Sequence, residues 1–104
     1  YLANPRVNRP ILYIDDLVRA VEILLKSKNN QFQIYNLCSV NLPMKKYSET
    51  VSKILKCKIK KLPNSKTYNF QMSNLLFSKK FNFKFTHNID KIILSIKKLY
   101  QKKL

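Results

Sequence analysis

Few residues of this chain are of types that do chemistry, and their spacing restricts what they could do. Cys38, Cys57 and His87 are its only cysteines and histidine, and they share no C-x-x-C or paired-histidine spacing. A zinc site is therefore not expected. Two buried free thiols in a reducing compartment are expected instead, which leans towards the cytoplasm. No glycine occurs anywhere in the 104 residues. Loops that cradle phosphate need glycine, because only glycine lets the backbone reach an anion at positive φ without a Cβ in the way. So the chain holds neither a Walker loop nor a dinucleotide fingerprint. It has no Tyr-x-x-x-Lys pair either: Leu17 stands four places after Tyr13, and Val51 four places after Tyr47. No catalytic, cofactor-binding or metal-ligating residue is assigned within it.

What remains is charge. Lys and Arg number 21 against 5 Asp and Glu, for a net charge of +16. Lys, Asn, Ile, Phe, Tyr and Met make up about half of the chain, while Gly, Ala, Arg and Pro make up less than a tenth. The first group uses A- and T-rich codons, so base composition accounts for much of the lysine. A protein selected to clamp phosphates or read bases favours the planar fork of arginine, and only Arg6, Arg9 and Arg19 are present. The densest basic stretch runs from Lys53 to Lys66. It reads as a solvated face or as an anion site.

The elements that would position these groups follow from periodicity. Arg9 to Ile14 reads as a short strand entered through Pro10. Leu17, Ala20, Val21, Leu24 and Leu25 mark one face of a helix from Leu17 to Lys28, with Asp15 or Asp16 as its N-cap. Asn29-Asn30 would close it. Gln31 to Leu37 reads as a second strand, and Cys38 to Pro43 as a loop. A helix from about Pro43 to Lys56 follows, then a weak edge strand from Lys58 to Leu62 and the least structured stretch, Pro63 to Asn69. Ser73 caps a short helix from Asn74 to Phe81, which Asn82 ends in the left-handed region. Phe83 to Phe85 is extended. Asn88 caps a final helix whose stripe is Ile89, Ile92, Ile93, Ile96, Leu99 and Tyr100. Asp15, Asp16 and Asp90 all stand at helix starts, where carboxylates complement the dipole. No apolar stretch approaches ~18 residues, so no transmembrane helix is expected, and the polar, Pro-punctuated start does not read as a signal peptide.

In order and spacing these segments resemble the C-terminal half of extended short-chain dehydrogenases, the NAD-dependent epimerase/dehydratase family. Arg9-Pro-Ile-Leu-Tyr-Ile-Asp-Asp-Leu-Val-Arg-Ala20 is similar to the family's R-D-x-x-x-V-D-D-x-x-x-A. Ile34 to Ser39 is similar to x-Y-N-I-G-S, Ser73 to Phe85 to D-x-S-K-x-x-x-x-L-G-W-x-P, and Ile89 to Tyr100 to the closing helix. Cys38 and Asn82 stand where the family has glycine, and Ser73 where it has aspartate. The loop from Pro63 to Asn69 lacks the family's arginine and offers Lys66, with Lys60 and Lys61 just before it.

The resemblance implies a mixed α/β fold: a single lobe over residues 1–104, with short strands and about four helices, that normally packs on a Rossmann half absent from this chain. It implies a binding lobe for a nucleoside-diphosphate sugar in an NAD(P)-dependent epimerase, dehydratase or reductase, with NAD or NADP held by the Rossmann half. It implies Arg9 as the diphosphate contact, with Lys60, Lys61 and Lys66 as further cations. Tyr13 and Asn36 would hold turns, and Arg19 would lie outside the site. A homodimer of the parent is among the assemblies the family allows. The competing reading is a small basic nucleic-acid-binding domain, which requires lysines and exposed aromatics interleaved on one face.

Overall fold

The computed structural model describes residues 1–28 and 33–103 and has a small mixed α/β fold. Its elements are β1 (Asn8–Ile11), α1 (Ile14–Lys26), β2 (Val40–Pro43), α2 (Met44–Leu55), α3 (Leu75–Lys80) and α4 (Ile89–Lys103). β1 and β2 pair antiparallel, with Asn8 opposite Pro43 and Ile11 opposite Val40. The Tyr47 hydroxyl fastens α2 to both strands: it donates to the Arg9 carbonyl at 2.6 Å and accepts the Leu42 N–H at 3.2 Å. Burial pushes the Tyr47 phenol up from its usual pKa, so it stays a neutral donor.

The core lies where α1 meets α3 and the segment after it. Ala20, Phe77 and Phe83 are buried together, with Ile23, Leu24, Tyr35, Leu37, Phe81 and Phe85 packed on them. Phe77 is the hub: Phe83 and Tyr35 meet its ring edge-on at 5.2 and 5.5 Å. Such edge-to-face pairs are each worth about 0.5–1.5 kcal/mol beyond the area they bury. Ala20 leaves room for that ring on the face of α1.

Several expectations need correcting. Cys38 to Pro43 is not all loop, since β2 occupies its last four residues. Of the strand expected over Gln31 to Leu37, Gln31 and Phe32 lie outside the described residues, and residues 33–37 carry no ladder. Tyr35 instead sends its ring to Phe77 and Phe81, while Ile34 is almost fully exposed. Leu17 to Lys28 is helical from Ile14 to Lys26, with Tyr13 as N-cap and no side-chain cap. Asn29 and Asn30, expected to close it, lie outside the described residues. Lys58 to Leu62 makes a single parallel bridge, Lys61 to Leu2. Cys38 is buried as expected, but Cys57 is exposed.

The left-handed Asn82 and the cap at Asn88 stand as expected, while the cap expected at Ser73 shifts to Asn74 and the helix runs from Leu75 to Lys80. Asn82 takes φ 47°, and Phe83 N–H reaches back to Ser78 O at 3.0 Å. Asn88 caps α4 through Lys91 N–H at 2.9 Å. Asn74 is the N-cap of α3, one residue beyond Ser73, whose hydroxyl still accepts the Leu75 N–H at 3.3 Å. Cys38 is not among the positive-φ residues, so the turn that the family makes with glycine is made here at negative φ.

Much apolar surface is left uncovered. Ile14, Val18, Val21 and Leu25 recur at spacings of four, three and four and form one exposed stripe on α1, each between 42% and 81% accessible. Val21 and Leu25, expected on the same apolar face as Leu17, Ala20 and Leu24, thus face outward, while Ala20 is buried. The radius of gyration is 16.3 Å, against about 13 Å for a compact domain of this length.

Candidate functional site

The segment from Lys60 to Phe70 has almost no regular structure, yet it is stitched along residues 2–9. Leu2 N–H donates to Lys60 O at 2.7 Å, and Leu62 N–H donates to Leu2 O at 2.8 Å. Asn4, in the left-handed region that asparagine tolerates, exchanges bonds with Asn64 and Ser65: its N–H meets Asn64 Oδ1 at 3.0 Å, and its Oδ1 accepts Ser65 N–H at 3.0 Å. Asn8 N–H donates to Asn69 Oδ1 at 2.9 Å. Backbone groups without a ladder are thus satisfied by asparagine side chains, which imitate a missing strand partner.

Arg9 sits in this stitching. Its guanidinium donates to Thr67 Oγ1 at 2.6 Å, to Asn8 O at 2.9 Å and to Tyr68 O. The residue expected to meet a diphosphate is therefore already committed in part to the loop beside it, the loop that carries Lys66. Arg9 thus holds the ledge formed by residues 60–70 along residues 2–9 at Thr67, the residue after Lys66. Lys60 and Lys61 lie at its other end, with Lys60 Nζ 5.5 Å from the Tyr1 ring centre. All three lysines are exposed. Between the two ends opens a cavity of about 380 Å³ lined by Asn4, Pro5, Arg6, Val7 and Asn64. Arg6 was not singled out from the sequence. Only the chain path, which folds 60–70 back on 2–9, places this further cation between the two ends of the ledge.

The second feature without a warning in the sequence is Asp16. Its side chain is fully buried and turned into the lobe. Ser39 Oγ donates to Oδ2 at 2.7 Å, and Arg19 Nη2 donates to Oδ1 at 2.6 Å. Thr86 N–H and His87 Nδ1 approach Oδ1 at 3.3 and 3.2 Å. Tyr13 N–H in turn donates to Ser39 Oγ at 3.0 Å. Burial raises the Asp16 pKa, but these hydrogen bonds outweigh it and hold the carboxyl at about 2, against an ordinary 3.8. Asp16 thus joins α1, the turn before β2 and the entry to α4. It stands in the first turn of α1 with Asp15, where both complement the dipole, but neither caps the helix. Arg19, expected outside any machinery, is half of this network and also lies 4.7 Å over the Phe83 ring. Tyr13 holds its turn as expected, whereas Asn36 is exposed.

Among the described residues no strand-to-helix turn takes the positive-φ form that cradles a dinucleotide pyrophosphate. Such a cradle needs backbone that approaches at positive φ without a Cβ, between a strand and a helix. The positive-φ residues here are Asn4, Lys56 and Asn82, each with a side chain and none at a strand-to-helix turn. Among the described residues no cluster of His, Cys, Asp or Glu could hold a metal ion, and no helix is long and apolar enough to cross a membrane.

No protein-family model matches the sequence, and no match is found among curated proteins. Among solved structures, RMD from Pseudomonas aeruginosa, solved in complex with NADPH, superposes with a TM-score of 0.80 at 16% sequence identity. The match covers 99% of this chain and 36% of that one, so the chain spans little more than a third of the length of its structural neighbour. At this identity the likeness is one of fold: nearly all of this chain superposes on about a third of that protein.

Proposed function

We propose that this chain is the nucleoside-diphosphate-sugar-binding lobe of an NAD(P)-dependent epimerase, dehydratase or reductase. The observation that carries the reading is the superposition of 99% of the chain on about a third of an NADPH-bound protein. Its counterpart here is a lobe that offers cations but no dinucleotide cradle. The Rossmann half of the same protein supplies the cofactor and the catalytic pair. Its docking covers the stripe Ile14, Val18, Val21 and Leu25, which is an expensive surface to leave in water.

The substrate diphosphate lies along the ledge. Arg9 keeps part of its five-donor fork for the anion and uses the rest to hold Thr67 and Tyr68. Lys66, Lys61 and Lys60 add solvated point charges. Lysine attracts phosphate without fixing its orientation, so Arg9 sets the geometry and the lysines set the field.

The test is the reading frame upstream of Tyr1 and the activity of its product. A G-x-x-G-x-x-G turn and a Tyr-x-x-x-Lys pair should be encoded there, and the joined protein should turn over a nucleoside-diphosphate sugar with bound nicotinamide. A native start codon directly before Tyr1 sinks the proposal.

A further inference from the structure

The ledge of residues 60–70 is exposed at every position, yet its backbone is held. Leu2 pairs with Lys60 and Leu62, Asn4 with Asn64 and Ser65, and the Arg9 guanidinium with Thr67 and Tyr68 O. Its side chains therefore stand in water on a fixed frame. The charged ones are all cations: Lys60, Lys61 and Lys66, with Lys56 and Lys58 just before them, each exposed. No acidic residue occurs before Asp15 or between Glu49 and Asp90, so neither the ledge nor residues 2–9 beneath it carry a carboxylate. Base composition accounts for the number of lysines but not for this separation of sign. Two aromatic rings stand among the cations. Tyr68 is 88% accessible and Phe70 48%, and neither belongs to the cluster around Phe77. Of the three arginines, Arg9 and Arg19 both donate to protein groups. Arg6 is exposed, meets no hydrogen-bond or ion-pair partner among the described residues, and borders the cavity of about 380 Å³ beside Asn4 and Asn64.

We propose that the ledge binds an unpaired nucleic-acid strand without regard to its sequence, with phosphates on Arg6, Lys60, Lys61 and Lys66 and a base stacked on Tyr68. Cations that track a backbone and rings that stack bases are the two components of single-strand binding. The cations are strung out, with Lys60 and Lys61 at one end of the ledge, Arg6 in the middle and Lys66 towards the other. That suits a chain of phosphates better than one. A duplex hides the faces of its bases, so it leaves Tyr68 unused. An acidic peptide meets the cations but brings no base to stack. A second copy of a chain carrying +16 is repelled. The proposal does not rest on the sugar-binding reading. Both ligands offer phosphate to the same lysines, but stacking on Tyr68 concerns the strand alone, and the strand is titrated without the Rossmann half, so either reading can fail without the other.

The experiment adds the full chain to a labelled DNA strand of mixed sequence, about twelve nucleotides long, and follows fluorescence anisotropy. An RNA strand of the same sequence and the matching DNA duplex are titrated beside it. Both single strands should bind with similar affinity, because neither stacking nor phosphate contact depends on the 2′-hydroxyl, and both more tightly than the duplex. Tyr68→Ala should weaken binding by about five- to a hundredfold and leave its salt dependence unchanged, and Tyr68→Phe should retain the affinity. Lys61→Gln or Arg6→Gln should reduce the slope of log affinity against log salt by about 0.7, the value of one phosphate contact on a single strand. The Tyr68 ring stands in water, so Tyr68→Ala spares the core and tests the proposal with the fold intact. Duplex binding as tight as single-strand binding, an oligoglutamate of equal charge that competes equally, or affinity that Tyr68→Ala leaves unchanged overturns the proposal, because charge alone is then at work. So does the absence of saturable binding at about 50 mM salt, where phosphate contacts are strong.

Discussion

Arg19 stands one turn beyond Asp16 on α1 and donates to its Oδ1 at 2.6 Å, although Asp16 is fully buried and Arg19 remains 41% exposed. The pair is lopsided: one partner is dry and the other wet. The arginine also donates to Lys84 O at 3.0 Å and Thr86 Oγ1 at 3.2 Å, so it carries the network outward from the buried carboxylate to the surface. Removing the buried partner and removing the exposed one should therefore differ in cost.

Asp16→Ala leaves Ser39, Arg19 and the Thr86 N–H without their acceptor. It should destabilise the chain by on the order of 2–3 kcal/mol, because donors turned inward on the carboxylate lose their acceptor, while the arginine itself stays in water. Arg19→Ala should cost about 1–2 kcal/mol, because Ser39 and Thr86 N–H still satisfy Asp16. Urea unfolding followed by circular dichroism measures both. Equal costs would mean that Asp16 is not the hub.

Acid should undo the same network. The folded carboxyl has a pKa of about 2, below its ordinary 3.8. A depressed folded pKa stabilises the fold above the unfolded value and loses that contribution as pH falls through the folded one. The loss should run from about pH 4 down to about pH 2 and amount to on the order of 2 kcal/mol. Asp16→Asn should remove this part of the acid dependence, which a series of urea melts at stepped pH reveals.

The purified 104-residue chain should not bind NAD or NADP and should not turn over a nucleotide sugar. It has no glycine with which to approach a pyrophosphate. Measurable heat on titration with either dinucleotide, saturating at one per chain, would refute this.

The sequence made legible whatever rests on local rules. The helical stripes, the cap at Asn88 and the left-handed Asn82 depend on neighbours three or four residues away, and each appears close to its expected place. What required the whole chain path was hidden. Ile34 and Tyr35 have strand propensity, but a strand forms only against a partner, and Tyr35 instead supplies an edge to the Phe77 cluster. Asp16 looked like a helix cap because a carboxylate before an apolar stripe usually is one. Nothing near it in sequence announces that Ser39, Thr86 and His87, all at least 23 residues away, converge on it. Arg6 carries no sequence signal for the same reason. Its neighbours are Asn4 and Asn64, and the stitching by asparagines that brings them together has no periodic signature.

The ledge yields the last prediction, in the protein that joins this lobe to its Rossmann half. Arg9→Ala should weaken binding of the nucleoside-diphosphate sugar by about ten- to a hundredfold and leave NAD(P) affinity unchanged, since a lost charge-assisted hydrogen bond costs on the order of 1.5–3 kcal/mol. Arg9→Lys should recover only part of this, because lysine keeps the charge and loses the fork. Arg9 also tethers the loop through Thr67 Oγ1 and Tyr68 O, so a loosened loop could mimic a lost contact. Thr67→Val separates the two: it removes the tether at 2.6 Å and leaves the guanidinium in place. If Arg9 touches the anion itself, Thr67→Val should cost much less than Arg9→Ala. If Arg9 acts through the loop, the two losses should be similar. Arg19 is unsuitable as a control, because its replacement disturbs the Asp16 network. Lys79, exposed in the last turn of α3, serves instead, and Lys79→Ala should change affinity by less than about twofold, as a screened surface charge does. A loss from Lys79→Ala equal to that from Arg9→Ala would reveal a diffuse field in place of a site. No loss from Arg9→Ala would move the anion contact to Lys60, Lys61 and Lys66, to be replaced one at a time in the same titration.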